Sequence, residues 1–248
     1  MRLVEKNYKL LIFIVFALLL HINIFGEVTM QEEFKIAFIA DAHFHDVYAE
    51  FKDDSFEGLK NSITGKNSKI RTMEAQLTST RLFNENYYAL NATLEDLAGK
   101  DIKYVGLVGD FSDDGQIIHL RGLKKILDSY TKKYGIQFFA IPGNHDPVKP
   151  VDNPNGKSDF LGKGGQEQRI FSKGAKECIN YSGKKAVINT GKGLPTICTE
   201  EILELGYTGI INEMGKYGFY PQKDYLYWAT PYSTYNYEMY NYEKAVKE

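Results

Sequence analysis

FKIAFIADAH, residues 34–43, decides the fold class: a nearly unbroken apolar run ends abruptly in Asp41 and His43. A short run of this kind is expected of a strand buried on both faces. Two later stretches repeat the form. YVGLVGD, residues 104–110, leads into Phe111-Ser112-Asp113-Asp114, and QFFAI, residues 137–141, leads through Pro142 into Gly143-Asn144-His145-Asp146. Between them, apolar side chains recur at three- and four-residue steps. Met73, Leu77, Tyr87, Leu90, Leu94 and Leu97 predict one long helix with room for an interruption, and Gly99 falls at its C-cap. Leu120, Leu123, Leu127, Tyr130 and Tyr134 predict a second helix, closed by Gly135. Strand, helix, strand, helix, strand implies an α/β domain with parallel pairing and right-handed crossovers. Ligands of such sheets bind at the carboxyl ends of strands, and all three polar clusters begin there.

The residue types in those clusters suit a divalent metal. Asp41 and His43 lie two apart, so an extended chain would send both to one face and one ion. Carboxylate plus neutral imidazole suits Mn, Fe or Zn better than Ca. Asp110 follows a glycine that lets the backbone approach closely, and its two oxygens can bridge two ions. Asp113 is placed to hold an imidazole, or, with Asp114, to cap the next helix. Asn144 offers a neutral carbonyl oxygen, which leaves His145 to face a substrate as acid or charge stabiliser.

Asp-x-His, Gly-Asp-x-x-Asp and Gly-Asn-His-Asp, in this order over residues 34–147, resemble the leading motifs of the calcineurin-like metallophosphoesterases. The resemblance implies a four-layer αββα sandwich with two divalent metal ions at the strand ends. It makes Asp41 and His43 ligands of the first ion, Asp110 the bridge and Asn144 a ligand of the second. His145, oriented by Asp113, would assist the leaving group, and the activity implied is hydrolysis of phosphomonoesters or phosphodiesters. The family also draws three histidines from its second half. This chain has His21, His43, His45, His119 and His145, and none later. The expectation is therefore a partial domain, truncated on its C-terminal side: an inactive fragment, or half of a split enzyme completed by a C-terminal polypeptide.

Residues 1–26 read as a signal peptide or N-terminal anchor: Lys6 and Lys9, then an apolar run from Leu10 to Leu20, ending near Gly26. No lipobox cysteine follows. Residues 27–248 are then one exported domain, periplasmic, cell-surface or secreted, or membrane-anchored where the segment is not cleaved. A net charge of −2 with 25% charged residues gives no electrostatic case for nucleic acid. Residues 148–166 read as a long loop; Gly156-Lys157-Ser158 fails as a phosphate loop because position 151 is Val. Residues 166–179 suggest a short helix. His119 reads as a helix-surface residue, and His45 as a solvated loop residue or a substrate contact. Cys178 and Cys198 could pair or stay separate thiols. Aromatic residues crowd positions 217–242, as a ring-stacking platform or as packing surface for a partner sheet.

Overall fold

The computed structural model describes residues 34–179 and 194–248, so the apolar run Leu10–Leu20 lies outside the described residues. Three parallel strands, β1 (Ile36–Ala40), β4 (Tyr104–Val108) and β5 (Gln137–Ile141), form the first sheet in the order β1-β4-β5. Their register places Ala40 beside Val108 and Val108 beside Ile141. The three strands therefore end level, and at about 4.8 Å per strand spacing their exit loops leave within roughly 10 Å of one another.

The two predicted helices cover one face. The first is interrupted: α1 (Met73–Leu77) and α2 (Phe83–Gly99) are separated by Thr78–Leu82. Thr72 caps α1 by accepting a hydrogen bond from the Ala75 amide. α3 (Ile117–Tyr134) ends at Gly135 in the left-handed region, φ 71°, whose N–H returns to the Thr131 carbonyl. Leu90, Leu94, Leu120, Leu123 and Leu127 of these helices meet Val105, Leu107 and Phe138 in one hydrophobic core.

The opposite face differs from the expectation of burial on both sides. Phe38 is 72% exposed and Ile141 61%, with Ile36, Val108 and Phe139 also exposed. The apolar runs are those of a covered strand, but on the side away from the helices the described residues leave Phe38 and Ile141 open and cover only part of β5, where Phe139 lies against Tyr225 and Gly218.

Two further expectations are corrected. The long loop contains β6 (Gly156–Leu161), and the short helix is instead β7 (Glu167–Phe171). They pair antiparallel, and β7 pairs in parallel with β8 (Leu194–Cys198) to form a second sheet. The reason is tertiary. Phe160 and Ile170 are fully buried against Phe51, Phe56, Ile118 and Ile202, which a charged, glycine-rich stretch does not announce. A small hairpin of β2 (Leu59–Lys60) and β3 (Asn67–Ser68) lies in the first loop.

Cys178 and Cys198 form a disulfide that joins the turn after β7 to the end of β8. Closing a loop of this size stabilises by about 3 kcal/mol in the chain-entropy model. The aromatic tail packs partly on itself, Tyr227 lying 5.7 Å from Tyr237 and 5.6 Å from Tyr240. Tyr232 and Leu226 stay exposed. No helix among the described residues is long and apolar enough to cross a membrane.

Candidate metal centre

Ligand atoms of Asp41, His43 and Asp110 all lie within 4.8 Å of one another at the level strand ends. The backbone that brings them together is not the extended chain expected from their spacing. Asp41, His43 and Asp110 have φ of 53°, 39° and 45°, and Asp114 has 55°. Six non-glycine residues among those described have positive φ, so most of them fall in this one site. Such conformations cost on the order of 1 kcal/mol or more each and persist only where surrounding bonds hold them. Here Asp41 N–H donates to the Gly109 carbonyl, 3.2 Å, and His43 N–H to the Asp110 carbonyl, 2.7 Å, which zips the two exit loops together.

The third loop is tied in by backbone contacts. The His145 amide donates to Asp110 Oδ1 at 2.7 Å. A Cβ on Gly143 would sit 2.2 Å from that same oxygen, so only glycine allows the approach. Asp146 is a fastener: its buried carboxylate accepts from the amides of Phe111, Ser112 and Gly143 and from the Ser112 hydroxyl. Burial still pushes its carboxyl above the usual range, against those hydrogen bonds. Asn144 is exposed in the turn between Gly143 and His145.

The donor set fits a divalent ion. His43 Nε2 lies 3.7 Å from Asp110 Oδ2, and no lysine or arginine among the described residues pairs with Asp41 or Asp110. Burial, and then the nearby Arg81 guanidinium, push the His43 imidazole below its ordinary value, towards the neutral form that binds metal. Two carboxylates and one neutral imidazole leave a negative charge that an ion would balance.

The structure departs from the dyad that the resemblance implies. His145 Nδ1 meets Asp114 Oδ1 at 2.6 Å, and Asp113 is engaged elsewhere. Asp113 is fully buried and meets His45 Nδ1 at 3.1 Å, Arg71 at 3.3 Å and Arg81 at 3.3 Å. Neither aspartate side chain caps α3, whose N-cap is Gln116. His45 is 0% exposed and reaches the Lys69 carbonyl at 2.9 Å, so it is neither solvated nor open to substrate. His119 is also 0% exposed, not on a helix surface; its Nδ1 accepts from the Asp46 amide at 3.0 Å.

Three contributors escape a reading by sequence alone. Arg81, in the break between α1 and α2, places Nη2 3.2 and 3.3 Å from the two ring nitrogens of His145 and Nη1 on Asp113 and Asp114. Asp114 looked like one member of a turn pair. Lys157, on β6, bonds to Asp114 Oδ2.

The motif order, the level strand ends and the Asp–His–Asp group are those of a metal-dependent phosphoesterase. No curated protein matches the chain. The family model described as calcineurin-like phosphoesterase matches residues 34–242, and the chain belongs to that family.

Proposed function

We propose that the chain is an exported phosphohydrolase that works through two metal ions, Mn, Fe or Zn, with Asp41 and His43 on one, Asp110 between them and Asn144 on the second. The observation that carries this reading is the Asp41–His43–Asp110 group, whose donor atoms lie within 4.8 Å of one another and whose carboxylates no lysine or arginine pairs with among the described residues. When bound, such ions lower the pKa of a water and clamp phosphoryl oxygens. His145, aimed by Asp114, donates its proton to the leaving oxygen. Arg81 adds positive charge beside it. The disulfide supports export, because such bonds persist in oxidising compartments.

The test is hydrolysis of p-nitrophenyl phosphate and its bis-ester by the purified chain with Mn. Activity should fall to background with a chelator and in Asp110→Asn. Turnover that survives both would end the reading. A second reading, half of a split enzyme or a binding module, is favoured by the open face around Phe38 together with the lack of any histidine after His145. In that case a complementing polypeptide would cover the face and add ligands, and mixing the two would restore turnover.

A further inference from the structure

The second sheet reaches the site through two charged side chains of one strand. Asp159 on β6 holds Arg71 in a two-point ion pair, Nε to Oδ1 at 2.5 Å and Nη2 to Oδ2 at 2.7 Å, and Arg71 in turn meets Asp113. Lys157, two residues earlier, is only 13% exposed and bonds to Asp114. The two oxygens of Asp114 are divided: Oδ1 faces His145 and Arg81, and Oδ2 faces Lys157. A carboxylate fixed at both oxygens cannot rotate about its last bond, so the imidazole it holds is fixed as well.

Asp114 needs such a tether. It sits in a left-handed conformation, next to the buried carboxylate of Asp113. Burial and Asp113 both work against its charged form, and Lys157 is the strongest influence in its favour. Without that ammonium group, only Arg81 would bridge the two adjacent carboxylates, Asp114 Oδ2 would lose its partner, and the carboxylate would be free to turn away from His145.

Resting on the function proposed above, we infer that Lys157 is a positioning residue: by holding Asp114 it aims His145 at the leaving oxygen, and so makes leaving-group protonation depend on the second sheet. A group with this task matters in proportion to how badly the leaving group needs a proton. Aryl esters such as p-nitrophenyl leave readily as anions, whereas alkoxides do not. The substrate class this arrangement serves is therefore alkyl phosphoesters.

The test compares wild type, Lys157→Met and Lys157→Arg as full-length chains, with His145→Ala as assignment control. Two readouts are taken. One is the ¹H–¹⁵N resonance of the His145 Nδ1–H held by Asp114, assigned by its loss in His145→Ala. The other is the ratio of Mn-dependent turnover on p-nitrophenyl phosphate to that on glycerol phosphate. Lys157→Met should lose the resonance and fall at least about 10-fold on the alkyl ester while changing less than about threefold on the aryl ester. Lys157→Arg should restore both. A resonance that survives in Lys157→Met, or equal losses on both esters, would overturn the assignment. Should Lys157→Met fail to fold, Asp114→Asn must give the same selective loss or the idea falls. If wild type hydrolyses neither ester, the proposed function fails, and the resonance alone decides the positioning role.

Discussion

Two groups of histidine and aspartate lie a few residues apart along this chain, and they have different fates. Asp41, His43 and Asp110 meet at the strand ends in partial exposure, and His45, Asp113 and His119 meet in full burial. In each, the donor atoms lie close enough for one ion. Hydrogen placement separates them. His119 Nδ1 accepts a hydrogen bond from the Asp46 amide, so its hydrogen is on Nε2, the atom that faces Asp113 at 3.9 Å. A nitrogen that carries hydrogen has no lone pair for a metal. His45 has an acceptor at each ring nitrogen and makes both bonds only when each carries a hydrogen. Arg71 and Arg81 already neutralise Asp113, while among the described residues no such cation pairs with Asp41 or Asp110. Proximity of ligand types is thus a weak criterion for a metal site. Free lone pairs and uncompensated charge are the stronger one.

The sharpest way to break that comparison is to remove one carboxylate from each group. Asp110→Asn should weaken Mn binding by at least about 100-fold, more than is usual for loss of a group that merely orients a ligand. Its fold should survive. Asp113→Asn should do the reverse, costing about 3 kcal/mol or more because it strips buried cations of their partner, with Mn affinity within a few-fold of wild type. Manganese EPR and denaturant unfolding read the two quantities separately. Mn affinity that falls equally in both variants would erase the distinction.

Much of the first group was legible in the residues because its signals are local. Apolar runs that end in Asp-x-His, Gly-Asp and Gly-Asn-His can be read without partners. The left-handed turns at Asp41 and His43 could not, since they are imposed by carbonyls of a loop some seventy residues away. The second group was misread for the same reason. His45 and His119 are buried by partners 68 and 73 residues distant, and an imidazole carries no mark of its surroundings. Arg81 hid in a helix interruption. Lys157 hid in a strand whose only strong signal is Phe160, among glycine and charge. Asp114 displaced Asp113 because three cationic or imidazole groups claim the latter.

A milder perturbation sharpens the contrast from the other side. His119→Leu removes the acceptor of the Asp46 amide and leaves that buried N–H unsatisfied, at a cost of about 1–3 kcal/mol. Mn affinity should not change, because His119 offers no lone pair. A drop of tenfold or more would mean that the buried group binds metal after all.

The most gradual effect is in the pH dependence of stability, and it has one sign for two histidines. Burial first, with His45 adding to it, holds His119 well below its ordinary value, and His43 is lowered as well. A histidine lowered in the folded state takes up its proton in the unfolded chain first. Stability is therefore complete above about pH 6.5 and lost as pH falls, by up to about 1.4 kcal/mol per pH unit for each group. Urea midpoints of the metal-free chain should decline from pH 7 to 5, and His119→Leu should flatten part of that slope. Saturating Mn stabilises the folded form and competes with the proton at His43. Its stabilising increment should therefore shrink as pH falls, by the same amount in His119→Leu as in wild type. An increment that changes with the His119 substitution would couple the two groups and dissolve the contrast between them.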